Sequence, residues 1–360
     1  MKKIALVSAI ALASITAAHA APTVYGKVFL TGDYMDSDYD ENYLVNKGTT
    51  SAPNWVNPQD DSAFKLNSNA SRIGFKGEES LTDTTNLVYQ LEYGVTPDND
   101  DQQFKSRNTY IGLAHNTLGT LIAGRHDTPF KLAKGNADVF NANAATLSLE
   151  NSGVMGETRA NNVIAYKSPT LVGMPLTFMA AVALSEKDDN DGVTTYPNTN
   201  EKVDNKDNAY SASLAYDQNG VYLAAAYDNN VGTSFGPVLD GRKYVEDSAW
   251  RLAGTFDMGK MNMVQGLTLG ALYQQADVYG YSDDSESWLI SGKYKIANTP
   301  WTAKAQYINT DFGDNDSSEV AVGGEYAFNK ATTGHIYAGQ VKADNFKDVT
   351  IVGTGIEYKF

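Results

Sequence analysis

Apolar and polar residues alternate one for one in runs of about ten residues along most of this chain. The clearest run is residues 350–360 (TIVGTGIEYKF), where apolar residues and Thr occupy every second position from Val352 to Phe360. Gly, Glu and Lys occupy the positions between them. Successive side chains of a β-strand point to opposite faces, so this period of two predicts a strand with one apolar face.

Sixteen runs of this kind predict an all-β, antiparallel fold. They cover residues 23–34, 64–79, 86–95, 105–114, 120–125, 162–167, 176–185, 209–217, 221–228, 248–257, 267–277, 287–296, 301–310, 319–328, 333–341 and 349–360. Short links such as 80–84 and 116–119 alternate with long polar links at 35–62, 126–160, 186–208 and 229–247. Asn219-Gly220, between two runs, is a strong signal for a tight hairpin. Because the long links fall on alternate hairpins, we expect them at one end of the sheet.

The first twenty residues predict export from the cell interior. Lys2 and Lys3 precede an apolar run over residues 4–17, and Ala-His-Ala at 18–20 ends the segment. This is the three-part pattern of a secretory signal peptide, so residues 1–20 are the predicted signal and 21–360 the mature domain. Cleavage removes both lysines and no acid, which changes the formal net charge from −15 to −17.

A closed barrel is the membrane structure that the remaining sequence allows. After residue 20, no apolar stretch approaches the roughly 18 residues that a membrane helix needs. Backbone N–H and C=O groups inside a bilayer have no water to pair with, so a chain without such helices spans it only as a closed β-barrel. The 22 Tyr and 31 Gly suit the interfacial aromatic girdles and twisted strands of a barrel.

Composition and motifs argue against nucleic acids, metals and catalysis. The acidic excess disfavours a nucleic-acid partner, and the chain has no Cys. The acidic runs 187–192 and 311–316 lack the spacing and closing Glu of a calcium loop. His115, His126 and His335 are scattered, and no Gly-x-Ser-x-Gly or His-Glu-x-x-His motif accompanies them. We therefore predict no enzyme activity, no cofactor and no metal.

Four motifs resemble the Gram-negative general porins. They are residues 24–27 (VYGK), 71–79 (SRIGFKGEE), 106–113 (SRNTYIGL) and 119–125 (GTLIAGR). The resemblance implies a homotrimer of sixteen-stranded transmembrane β-barrels, each narrowed by a third external loop that folds into the lumen. Residues 126–160 occupy the place of that loop.

The same resemblance implies a location and partners. The location is the Gram-negative outer membrane. The partners are outer-membrane lipid, lipopolysaccharide, the barrel assembly machinery and small hydrophilic solutes. The last run resembles the closing strand of outer-membrane barrels, which also serves as their assembly signal. Phe360 and Tyr358 are therefore the predicted assembly-signal residues.

Strand parity and the family motifs together predict the basic side of a pore constriction. A basic side chain that faces lipid near the bilayer midplane costs ~2–4 kcal/mol, so Arg72 and Lys76 should face the lumen. The same reasoning points Lys27 inward, and it points Arg107 inward with Tyr110 outward. The resemblance assigns the basic wall positions to Lys27, Arg72, Arg107 and Arg159.

The resemblance places acids on the inward loop, opposite these bases. Asp138 aligns best with the first of them. The family's second acid lies in a Pro-Glu-Phe-Gly-Gly motif that is absent here, since residues 140–143 read FNAN, and we expect Glu150 to substitute for it. Opposed charges across a narrow water channel create a transverse field that favours polar solutes over apolar ones.

The sequence thus predicts a water-filled pore for passive diffusion of small hydrophilic solutes and ions. Acids concentrated in the loops predict a mild cation preference, which the basic wall residues oppose. Two alternatives stay open at this point. One is a channel specific for a sugar or oligosaccharide, with Trp250, Trp288 and Trp301 available for stacking. The other is an adhesin or purely structural barrel, which the long loop at 126–160 disfavours.

Overall fold

The computed structural model describes residues 21–41, 43–47, 52, 54–99, 103–141, 147–171, 173–185, 194–195, 202–203, 208–231, 234–239, 242–313 and 316–360. The predicted signal peptide at 1–20 and the acidic run 187–192 lie outside these residues. Within the described part of the chain, no helix is long and apolar enough to cross a membrane.

Sixteen long strands make up the fold, and each lies where an alternating run predicts one. They are β1 (Thr23–Tyr39), β2 (Asp61–Ser68 and Arg72–Thr82), β3 (Thr85–Gly94), β4 (Lys105–His115), β5 (Gly119–Asp127), β6 (Arg159–Lys167), β7 (Leu176–Ala183), β8 (Ala209–Gln218), β9 (Val221–Asn229), β10 (Arg242–Asp257), β11 (Leu267–Val278), β12 (Ser285–Lys295), β13 (Trp301–Asp311), β14 (Ser317–Ala327), β15 (Thr332–Ala343) and β16 (Lys347–Lys359). Short segments outside this set pair Val45–Asn46 with Trp55–Val56, Thr194–Thr195 with Lys202–Val203, and Ser234–Leu239 with the start of β10.

The sheet closes on itself because the last strand returns to the first. β16 pairs antiparallel with β1 from Lys27↔Lys359 to Tyr39↔Lys347, and β1 also pairs with both segments of β2. Gly26 and Phe360 complete this seam, since their backbone N–H groups donate to each other's carbonyl oxygens at 2.9 and 3.1 Å. The predicted all-β, sixteen-stranded antiparallel barrel is confirmed.

The connections differ between the two ends of the barrel. The four predicted long links all leave one end, which we call the long-loop end. The opposite end carries the start of β1, the end of β16 and tight turns. One of these turns joins β8 to β9 through Asn219 and Gly220, whose φ angles are +53° and +87°. Two consecutive residues with positive φ form the hairpin turn that matches strand twist, so the Asn-Gly prediction is confirmed.

The two faces of the wall differ in polarity as the alternation requires. On β1, Val28 is 37% exposed on the outer face, whereas Thr31 and Asp33 are 1% and 0% exposed on the inner face. Lipid can solvate an apolar side chain but not a polar one, so the outer face carries Leu, Ile, Val and aromatic residues.

The connection between β5 and β6 folds into the lumen, as predicted for the third loop. We call its described residues, 128–141 and 147–158, the inserted loop. It begins with the helix Pro129–Ala133, where the Thr128 hydroxyl accepts a hydrogen bond from the Lys131 N–H at 3.1 Å. A Thr cap followed by Pro is a favoured helix start, because Pro lacks only an N–H that the first turn does not use. This helix contacts β7, β8, β9 and β10.

Candidate functional site

The inserted loop packs on the inner wall from β7 to β16. Three buried clusters join loop residues to wall residues. The loop residues are Phe130, Ala133, Ala137, Phe140, Leu147, Leu149, Val154 and Met155. Many wall positions under the loop are Ala, including Ala224, Ala249 and Ala276, and these small side chains leave room for a second layer of chain. None of the three clusters includes a described residue of β2–β6, so we infer that the lumen is open on that side, along β1–β6, and we call it the passage.

Two predicted bases of the passage share one carboxylate. Arg72 Nε lies 3.3 Å from Glu92 Oε2, and Arg107 Nε lies 2.8 Å from Glu92 Oε1. The hydroxyl of Tyr25 also donates to Glu92, at 3.1 Å. The two arginine side chains are 30% and 25% exposed, whereas that of Glu92 is 9% exposed. Because one buried acid serves two more exposed bases, this part of the passage presents a net positive charge.

The other two predicted bases show the same two-to-one pattern. Arg159 Nη2 lies 3.0 Å from Asp127 Oδ1, and Lys131 Nζ lies 3.1 Å from the same oxygen. Lys27 and Lys359 both pair with Glu357, at 3.1 and 2.6 Å. The side chain of Lys27 is only 8% exposed, so this base is held within the wall more than it is presented to the passage.

Sequence reasoning missed the role of Glu92 as the acid of this site. The available signal was parity, since Glu92 alternates with Leu91, which is 38% exposed on the outer face. The resemblance implied acids on the inserted loop instead of on the wall. In the structure, Glu92, Asp127 and Glu357 hold the bases from the wall itself.

The prediction that Asp138 faces the bases across the passage is wrong. Its side chain is 2% exposed, it accepts a hydrogen bond from the Phe140 N–H at 3.1 Å, and Lys134 Nζ lies 3.9 Å away. Burial raises the pKa of Asp138, an effect that the Lys134 ammonium partly offsets. Glu150 is exposed, as a pore-lining acid must be, and its place on the constriction remains a proposal.

Replacing Asp138 with Asn should therefore leave ion selectivity unchanged. The Asn side-chain oxygen can still accept the hydrogen bond from the Phe140 N–H, and a buried carboxyl contributes little to the field in the passage. Reversal-potential measurements on the D138N channel test this. A marked shift toward anions would show instead that the carboxylate acts on passing ions.

The prediction that Tyr110 faces outward is also wrong, and a β-bulge is the reason. β3 and β4 pair Leu91↔Thr109 and Tyr93↔Ser106, so two residues of β4 stand opposite Glu92 alone. A bulge shifts the alternation by one residue, so parity counted from Arg107 fails beyond it. Tyr110 consequently faces inward, with its ring 5.3 Å from that of His126.

The remaining aromatic candidates lie on the outer face. Trp250, Trp288 and Trp301 are 38%, 37% and 38% exposed there, so they are not placed to stack on a sugar inside the lumen. Tyr358 and Phe360 are 49% and 51% exposed beside the closing seam, with their rings 6.1 Å apart.

A family model described as Gram-negative porin matches residues 5–345. The chain belongs to the Gram-negative porin family. Relatives of this porin include the major outer membrane protein P.IB of Neisseria sicca, which is 24% identical over 86% of this chain and 88% of the relative. An outer membrane porin protein of Bordetella pertussis is 23% identical over 100% of both chains. The protein is accordingly an outer-membrane porin, and its relatives are channel proteins, not enzymes.

Solved structures share the fold. The anion-selective porin from Comamonas acidovorans superimposes with a TM-score of 0.69 at 18% identity, covering 94% of this chain and 99% of that one. Salmonella typhi OmpF, solved in complex with daunomycin, gives a TM-score of 0.63 at 16% identity, covering 94% of this chain and 97% of that one. OmpT of Vibrio cholerae, solved in a trimer form, gives 0.59 at 17% identity, covering 95% and 100%.

Proposed function

We propose that this porin is a general diffusion channel for small hydrophilic solutes and ions. The observation that carries the proposal is a closed barrel in which the inserted loop packs on one side of the inner wall and charged groups lie on the other. Such a passage excludes solutes by size and favours those that water and charge can solvate. A sugar-specific channel has less support, because Trp250, Trp288 and Trp301 lie on the outer face.

Ion preference depends on two regions of opposite sign. Exposed acids crowd the long-loop end at Asp36, Asp38, Glu41, Asp60, Asp61, Asp283, Asp284, Glu286, Asp311 and Asp316. They raise the local cation concentration within a Debye length, which is about 30 Å at 0.01 M salt and about 3 Å at 1 M. In the passage, Arg72 and Arg107 lie at contact distance from a passing ion. Added salt therefore screens their effect on the ion less than it screens the effect of the acids at the long-loop end.

We expect a mild cation preference at low salt that weakens and reverses toward anions as salt rises. The purified protein should be reconstituted in a planar bilayer, and the reversal potential recorded under a fixed salt ratio at low and high absolute concentration. The absence of step currents would refute the channel. A cation preference of the same size at both concentrations would refute the proposal that acids at the long-loop end favour cations while bases in the passage favour anions.

We also propose a homotrimer, in keeping with the trimer form of the Vibrio cholerae structure, and removal of residues 1–20 on export. Outer-membrane lipid, lipopolysaccharide and the barrel assembly machinery are the further partners in this proposal. The native mass of the detergent-purified complex tests the trimer, and the N-terminal sequence of the mature protein tests the cleavage after Ala20.

A further inference from the structure

One arginine lies at the centre of the contact between the inserted loop and the wall. Arg251, on β10, is 0% exposed. Its guanidinium stacks on the ring of Phe130, with Cζ 4.3 Å from the ring centroid. Nε and Nη2 donate to Gln274 Oε1 on β11 at 2.9 and 2.7 Å, so a neighbouring strand fixes the orientation of the guanidinium plane.

The same guanidinium holds both ends of the loop. Nη1 donates to the Phe130 carbonyl oxygen at 3.4 Å and to Glu157 Oε1 at 2.9 Å, and Nη2 donates to the Met155 carbonyl oxygen at 2.9 Å. All five N–H donors of the guanidinium are therefore used. A lysine has three donors and no planar fork, so it cannot reproduce this set.

Glu157 connects this contact to a second loop residue. Its carboxylate pairs with Lys134 as well as with Arg251. Burial alone would raise the pKa of Glu157, but the Lys134 ammonium and the Arg251 guanidinium together lower it below the ordinary value. The acid is thus ionised at neutral pH and supports the arrangement.

Lys304 on β13 repeats the arrangement further along the loop. Its side chain is 1% exposed, and Nζ lies 4.3 Å from the ring centroid of Phe140. Nζ donates to the Val139 carbonyl oxygen at 3.1 Å and lies 3.2 Å from Glu325 Oε1. A buried wall cation, a loop phenylalanine and a loop carbonyl recur at both places.

We propose that Arg251 and Lys304 are positioning residues that hold the inserted loop against β9–β16 and thereby set the width of the passage. They touch no permeating solute. This inference rests on the proposed function, because the width matters only in a conducting pore. It assigns size selection to buried cations far from the exposed arginines, which act on charge.

The test compares the variant R251M/E157Q with the wild-type protein. Removing both charges avoids leaving the Glu157 carboxylate buried with one cation fewer. We expect noisier open-channel current and a changed ratio of trisaccharide to monosaccharide entry in liposome swelling. We also expect trypsin cleavage after Lys131 or Lys134 to rise roughly tenfold or more, since losing a hydrogen bond from a charged group shifts local opening by about that factor.

Two further variants separate positioning from simple folding. R251K should fall between the wild type and the double variant, and K304M should increase current noise through the second contact alone. R125Q, which removes a charge held by Ser106 and Asn161 outside the lumen, should change neither noise nor cleavage. If the double variant does not yield a heat-resistant barrel, R251K and K304M decide by the same readouts.

The outcomes distinguish this inference from the proposed function. A wild-type protein that forms no channel would refute the proposed function, while the trypsin comparison would still test the positioning contacts. A conducting wild type whose folded variants match it in noise, size ratio and cleavage would overturn the inference.

Discussion

Removing Phe360 should lower the amount of folded protein in the outer membrane by roughly an order of magnitude. The residue completes the seam through two backbone hydrogen bonds to Gly26, and each contributes about 0.5–1.5 kcal/mol. Its ring also packs over Gly26, where an added Cβ would lie 2.6 Å from Phe360 Cζ. The truncated chain would thus lose the end of its closing strand and the aromatic residue that we propose the assembly machinery recognises.

Two substitutions at the same position separate these roles. F360A keeps the backbone hydrogen bonds and removes the aromatic ring, whereas F360Y keeps both. Outer-membrane fractions should show a large loss for F360A and near-normal levels for F360Y, while folding of F360A into detergent should be mostly preserved. Normal outer-membrane levels of the truncated protein would contradict the role of Phe360.

Neutralising Arg72 or Arg107 should raise the cation-to-anion permeability ratio by roughly an order of magnitude. At ~5 Å in water, a unit charge changes the energy of a passing ion by about 0.8 kcal/mol, with opposite sign for cations and anions, so the ratio shifts by about 1.6 kcal/mol, or roughly fifteenfold. R72Q and R107Q each leave Glu92 with one arginine partner, so the local excess positive charge disappears. The smaller side chain should also increase conductance. Reversal potentials and single-channel steps in planar bilayers measure both effects.

Two control variants accompany these substitutions. R125Q removes an equal charge outside the lumen, and E92Q removes a charge of opposite sign inside it. Arg125 pairs with Thr109, which lies on the same face as Ile111, 54% exposed on the outer face, so R125Q removes a charge outside the lumen. It should leave the permeability ratio unchanged. E92Q should move the ratio toward anions. Unaltered selectivity in R72Q and R107Q, together with a shift in R125Q, would show that these arginines do not line the passage.

The sequence was most informative about the strands. Alternation at period two is a local property, and a lipid-facing wall enforces it along the whole strand because polar groups are costly in hydrocarbon. The sixteen strands and the Asn-Gly hairpin could therefore be predicted from residues near in sequence. Inward parity of Arg72 follows from counting within one strand, and its ion pair with Glu92 agrees with it.

The charge partners of the bases and the position of the inserted loop depended on the tertiary structure. The bulge at Glu92 is invisible in the alternation of β4, because it arises from pairing with β3, and it reversed the face of Tyr110. Asp138 is buried because of the way the inserted loop packs on the wall. The wall residues that determine this packing are far from Asp138 in sequence.

By itself, the sequence determined the barrel, its strand order and the bases that face inward, because backbone pairing and lipid impose a repeating local rule. Only the tertiary structure decided which acids meet those bases and which wall the loop covers. Arg251 shows why, since its five donors gather groups from Phe130, Met155, Glu157 and Gln274. Charge pairing and packing depend on distances between segments that no local pattern encodes.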